Sequence, residues 1–247
     1  MPQLIEVKHP TGVTIVFNNK KHFYYVKETG QNLVSTTTFI GRFFPYFNVA
    51  KISKAYAEKQ GLNQKHVRAD WDLKKKIGAD RGNYCHSYAE EVLTKDKSDR
   101  KRIPQLNHID KVIDSLHDKF GIVWSEVIVA SLEQGIAGTI DILGVDHPTI
   151  LGIHDWKFCK AITRTSRWYA KKPIEQLPNT NYSKYLLQLN LYRHILETEY
   201  KGLFINLDTH KLKKSEMVLY HITKEKNTEY VIPRFNMEPL LKGNKNG

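Results

Sequence analysis

Two acidic residues and a lysine, Asp141, Asp155 and Lys157, have types and spacing that could do chemistry in this chain. Gly138-Thr-Ile-Asp141-Ile-Leu reads as one short apolar strand, and Ile150-Leu-Gly-Ile-His-Asp155-Trp-Lys157 as another. Residues i and i+2 of a strand project to one face, so Asp155 and Lys157 point into the same space. If the strands pair, Asp141 reaches that space too. Convergent carboxylates hold a hard divalent cation such as Mg²⁺ together with substrate oxygens. A lysine beside them can orient or deprotonate a water, or stabilise a phosphorane-like transition state. The chemistry indicated is metal-assisted hydrolysis of a phosphodiester. Asp-x-Lys arises by chance in many basic proteins, and an aspartate ending a strand is often a turn residue. Placement raises this one above chance: both carboxylates lie in apolar strand patterns, where an unpartnered charge is costly.

Other residues could join them. His86 and Glu90 are spaced i,i+4 and share one face of a predicted helix. His86 is then either a further metal ligand or phosphate contact, or an exposed or core-satisfied histidine. Arg81 and Gly82 lie one turn earlier, offering charge and close approach. Glu126 could supplement a metal site or pair with a lysine at the core edge. Gln188 and Tyr192 are again i,i+4, beside an apolar stripe of Leu186, Leu189 and Ile195, where polar groups need a partner or a task. Residues 160–173 carry five basic side chains and the adjacent aromatics Trp168 and Tyr169. There Arg164 and Arg167 could neutralise phosphates while the aromatics stack on unpaired bases; the alternative is a solvated loop.

The elements that must position these residues can be read along the chain. Residues 13–17 and 22–26 form a hairpin around Asn18-Asn19-Lys20. Ser35 is suited to cap a helix entering Phe39-Ile40. Residues 48–60 read as helix, and a long amphipathic pattern runs from about His66 to Leu93. A charged loop over 94–103 precedes a helix from about Pro104 to Phe120, with Gly121 as its C-cap. Strands follow over about 122–130, 135–145 and 149–158, then an irregular basic segment over 159–181. A strong helix spans 182–199, with later strands at 203–207 and 217–222 and a frayed tail over 240–247. The order implies one α/β domain over 1–247: a hairpin and helical elaboration over 1–120 and a sheet core over 121–222.

Composition narrows the partner. The 247 residues carry a net charge of +12, which favours a polyanion. No run approaches the roughly 18 apolar residues that span a bilayer, and the start lacks a signal-peptide pattern. A cytoplasmic, reducing compartment and no membrane partner are the expectation. The two cysteines, Cys85 and Cys159, cannot form a Cys₄ iron–sulfur cluster within one chain.

In this order the motifs resemble the PD-(D/E)XK nuclease superfamily: Asp141, then Asp155-x-Lys157, with Asp in place of the commoner Glu. Gln188-x-x-x-Tyr192 and the upstream His86 resemble the extra motifs of its RecB-like branch. Leu33-Val-Ser35-Thr-Thr-Thr resembles an entry element of the mitochondrial genome maintenance exonuclease and related phage exonucleases. The resemblance spans roughly residues 20 to 220. It implies a restriction-endonuclease-like core, a central mixed sheet flanked by helices. It implies Asp141, Asp155, the Trp156 backbone carbonyl and His86 as ligands of Mg²⁺ or Mn²⁺, with two ions about 3.5–4 Å apart. Lys157 would position or activate the water, Gln188 and Tyr192 would hold substrate or brace Lys157, and Ser35 and Arg81 would contact phosphates. The implied protein is a DNA exonuclease acting on ends or single strands, in the cytoplasm of a bacterium or phage-infected cell. Alternatives are a catalytically silent nucleic-acid-binding module and an endonuclease with the same chemistry.

Overall fold

Short β-branched and aromatic runs separated by polar turns, followed by strands interleaved with helices, favour a sheet with helices packed on its faces. The computed structural model describes residues 4–95, 103–146, 150–200, 214–223 and 225–242. It is an α/β architecture with a nine-stranded mixed sheet flanked by helices, as the sequence predicts. The N-terminal part is β1 (Leu4–Lys8), β2 (Thr14–Asn18), β3 (Phe23–Val26), β4 (Asn32–Ser35), α1 (Thr36–Gly41), α2 (Val49–Gln60) and α3 (Gln64–Thr94). A 3-10 turn and α4 (Asn107–Lys119) lead into β5 (Ile122–Ser131), β6 (Ile136–Asp146) and β7 (Ile150–Lys157). Then come α5 (Asn181–Glu199), β8 (Lys214–Ile222), β9 (Asn227–Val231) and α6 (Glu238–Lys242). Sequence patterning did not anticipate β1, β9 or α6. The expected strand at 203–207 and residues 243–247 of the tail lie outside the described residues. Among the described residues, no helix is long and apolar enough to cross a membrane.

Local chemistry sets the helix starts. Asn48 accepts from the Lys51 N–H at 2.9 Å, and Thr180 accepts from the Ser183 N–H at 3.1 Å. Each satisfies a donor that the first helical turn leaves free. Ser35 caps α1 by accepting from the Thr38 N–H at 3.2 Å. Gly61 ends α2 with a left-handed φ of 64°, as a C-terminal glycine does. Gly121 does not play that part for α4: the helix ends on an extended Phe120, whose N–H donates to the Leu116 carbonyl at 2.9 Å. The expected stripe on α5 is also wider than predicted. Residues 186–193 are all buried, Gln188 and Tyr192 included.

The sheet order is β1-β2-β3-β4-β6-β7-β8-β9, with β5 beside β6. Ile136 and Ala137 pair with both β4 and β5, and residues 142–145 pair with both β5 and β7. A strand has only two edges, so β4 and β7 share the edge of β6 opposite β5. They occupy its two ends and leave the edge open between Gly138 and Asp141.

Side-chain direction also changes phase there. Ile136 and Ile140 lie in the core with α1 and α5, whereas Ile142 lies in the core with α3 and α4. In an uninterrupted strand Ile140 and Ile142 would share a face. The interruption is mirrored on β5, where the ladder steps from Ser125↔Ile142 to Val127↔Ile140 and Glu126 has a φ of 51°.

Glycines keep the sheet thin where α4 crosses it. Gly144 and Gly152 are direct partners on β6 and β7. The buried Phe120 ring covers both: a Cβ on Gly144 would lie 2.6 Å from it, and one on Gly152 2.4 Å. An aromatic ring over paired glycines restores the apolar cover that their missing side chains leave out. Gly144→Ala should therefore destabilise the fold by about 1–3 kcal/mol through overpacking, and Phe120→Ala by about 3–5 kcal/mol. Urea unfolding of the double variant should show a loss well below their sum. Strict additivity would mean that the ring does not sit on this pair.

Candidate metal centre and cleft

The open edge of β6 is where the predicted residues meet. With β7 drawn away from Ile140, the Trp156 N–H donates to Asp141 Oδ2 at 2.9 Å. The carboxylate takes the place of a main-chain acceptor. In an extended strand a residue's N–H and C=O leave from the same edge, so the Trp156 carbonyl also leaves β7 on the side of Asp141. Trp156 itself points the other way, into the core under α3 and α4.

His86 of α3 and Glu126 of β5 complete a cluster with Asp141. His86 Nδ1 lies 3.8 Å from Asp141 Oδ2 and 3.9 Å from Glu126 Oε1. One ligating atom from each of the three falls within 4.8 Å of the others. Burial, with the Lys157 charge adding to it, lowers the His86 pKa to about 4. The imidazole is thus neutral, with a lone pair to give, at pH 7. Glu126 keeps a side chain 39% exposed. Its pKa is nevertheless raised to about 8, by desolvation first and then by Asp141, Glu90 and Asp155. Desolvation likewise raises Asp141, against Lys157 and the Trp156 N–H. Two carboxyl groups whose ionisation is held back for want of nearby positive charge, with an imidazole, fit a Mg²⁺- or Mn²⁺-class cation, and the nitrogen donor suits Mn²⁺.

Asp155 stands behind this cluster instead of within it. It is buried and ion-paired with Lys157. Gln188 Nε2 donates to the Tyr192 hydroxyl at 3.2 Å and lies 3.5 Å from Asp155 Oδ1. Desolvation raises the Asp155 pKa to about 6, opposed chiefly by Lys157. For Lys157, burial alone would lower the pKa; Asp155 and Asp141 outweigh it and hold the value above the ordinary lysine range. Lys157 is therefore an ammonium at neutral pH. Its Nζ sits 4.9 Å from the centre of the Tyr185 ring, a cation–π contact that spacing did not single out.

Gly138 lets the helices close in. A Cβ there would lie 2.5 Å from Thr36 Oγ1 and 2.7 Å from the Tyr192 ring. Thr36 donates to the Ala137 carbonyl at 3.1 Å. A cleft of about 540 Å³ opens over the cluster, with Ser35, Thr36, Gln188 and Tyr192 along one side. The β2–β3 hairpin forms a further wall, tied down where the Tyr24 hydroxyl meets Thr139 Oγ1 at 2.9 Å. That wall was missed because its residues carry no catalytic motif.

The remaining candidates lie apart from the cleft. Arg81 is exposed on α3, one turn before the buried Cys85. Arg164 is held between the rings of Tyr182 and Tyr230, at 4.4 and 5.0 Å. Arg167, Trp168 and Tyr169 are exposed on the segment between β7 and α5, with Trp168 65% accessible. Lys171 in that segment donates its N–H to the Phe43 carbonyl at 2.6 Å.

Fold and site together define an α/β protein with a carboxylate–imidazole cluster at a gap in its sheet. No protein-family model and no curated protein matches the chain. A solved structure titled "Crystal structure of SSO0001" is similar at 13% identity and a TM-score of 0.34, over 85% of this chain and 71% of that one. That likeness is too slight to assign a fold family.

Glu126 makes the site visible in a stability measurement. Its carboxyl binds a proton up to about pH 8 in the folded protein, against an ordinary 4.5. Between those values the folded state holds more protons than the unfolded chain, so its stability falls as pH rises. In EDTA, thermal melting should show the wild type losing stability relative to Glu126→Gln from about pH 5 to 8. A difference that stays constant over this range would contradict the assignment.

Proposed function

We propose that the chain is a divalent-cation-dependent DNA nuclease of the PD-(D/E)XK type, RecB-like branch, hydrolysing phosphodiester bonds at ends or on single strands. One observation carries the reading: an ammonium–carboxylate pair, Lys157 with Asp155, lies behind the His86–Glu126–Asp141 cluster that lines a cleft. The net charge of +12 suits a polyanionic substrate.

His86, Glu126 and Asp141 would hold the cation, with the Trp156 carbonyl on the same side. When bound, the cation supplies Lewis-acid stabilisation of charge on the phosphate oxygens. The other steps belong to the side chains. Lys157, kept protonated by its two aspartates, acts as a hydrogen-bond donor that orients water and stabilises the pentavalent transition state. In that state it is not a base. Asp155 fixes the ammonium, Gln188 reaches Asp155, and the Tyr192 hydroxyl holds Gln188. Ser35 and Thr37 line the cleft, and their hydroxyls would contact a backbone phosphate. Arg167, Trp168 and Tyr169 are free to engage a strand outside the cleft. A silent binding module would not need Lys157 half-buried beside two carboxylates, a costly arrangement unless it is used.

End-labelled linear single-stranded DNA should be degraded with Mg²⁺ or Mn²⁺ and spared in EDTA. Lys157→Ala, shown by circular dichroism to be folded, should lose at least about 10²-fold in rate, the scale for one donor to a transition-state oxyanion. Unchanged activity in that variant would overturn the reading. Cleavage of circular single strands at the same rate would turn an exonuclease into an endonuclease.

A further inference from the structure

The hairpin wall of the cleft has its own chemistry. His22, in the β2–β3 turn, is exposed and lines the cleft with Asn19. It has a φ of 51°, a left-handed conformation that a histidine adopts at a cost. Its ring is T-shaped to Phe17, with centroids 5.4 Å apart and planes at 81°. Phe17 in turn stacks on Tyr24 at 4.5 Å and 17°. Both of those rings are buried and cannot take a ligand between them. They form a rigid backing, anchored through Tyr24 to Thr139, two residues before Asp141. The His22 ring makes no hydrogen bond to a described residue, and it is exposed among the residues that line the cleft. Asn19 adds an amide beside it.

We infer that His22, with Asn19, is a subsite for one unstacked nucleobase of the strand whose phosphate lies at His86, Glu126 and Asp141. This rests on the nuclease reading and adds to it where the base goes. A base within a duplex keeps both faces stacked, whereas a terminal or single-stranded base can lay one face on an aromatic ring. A cleft of about 540 Å³ is in the range that holds a small ligand, not a stretch of duplex. The subsite therefore selects frayed ends and single strands. It does so through ring stacking, which every base can supply, so little preference among the four bases follows.

The test is a mutant cycle between protein and DNA. Anisotropy titrations in Ca²⁺ would use short single-stranded oligonucleotides made abasic at one position at a time. His22→Gly removes the ring and suits the left-handed backbone, so loss of folding does not confound it. The wild type should bind one abasic oligonucleotide about tenfold more weakly than the intact one, the lower part of the range for one stacked base. His22→Gly should bind intact DNA with that same loss and show no further loss on the abasic strand. His22→Phe should recover most of the affinity. Equal affinity of wild type and His22→Gly for intact DNA, in a protein that cleaves DNA with Mg²⁺, overturns the subsite and leaves the nuclease reading standing. A wild type that neither binds nor cleaves DNA overturns both.

Discussion

The hydrogen bond from the Trp156 N–H to Asp141 Oδ2 is the contact on which the site depends. It replaces a rung of the β6–β7 ladder at the point where the strands separate. A regular rung would close the sheet and leave no gap for a cleft, while no rung at all would leave a buried N–H unpaired at a cost of about 1–3 kcal/mol. A carboxylate can fill the missing rung and still offer lone pairs elsewhere. The left-handed Glu126 on the neighbouring strand belongs to the same irregularity. Strain of this kind persists where the surrounding structure over-determines it, and here two cores with opposite phase do so.

Charge follows from that geometry. Opening the sheet brings Asp141, Asp155 and Glu126 together in a place where desolvation raises all three carboxyl pKa values. Lys157 is the one cation among them and is held charged by the surplus. The arrangement is self-consistent as a receptor for positive charge, and poor as a purely structural core, where well-packed apolar residues do as well or better. The N-terminal hairpin completes the enclosure, so the sheet extension that the sequence marks only as an elaboration is a wall of the site.

The centre of this picture was legible in sequence because strands have a strict period. Asp155 and Lys157 share a face as their i,i+2 spacing requires, and His86 reaches Asp141 from the predicted helix. The order of strands and helices likewise foretold the α/β class. What could not be read was the break in that period. Nothing in Ile140-Asp-Ile-Leu says that Ile140 and Ile142 enter different cores, because the break coincides with the left-handed backbone of Glu126 on another strand. For the same reason Glu126 joins His86 and Asp141 while Asp155 turns to Lys157, an exchange of partners that no local pattern encodes. The exposed aromatics at 168–169 illustrate the converse: composition gave their character but not their distance from the cleft.

The central claim is that the gap in β6 assembles a cation site from three elements that are distant in sequence. Calorimetric titration of Mn²⁺ into the wild type and Asp141→Asn tests it without DNA or turnover. The account predicts saturable binding by the wild type and at least about a tenfold loss in the variant, the low end of what even an outer-shell partner contributes. Equal binding by the two proteins, or none by the wild type, would contradict it.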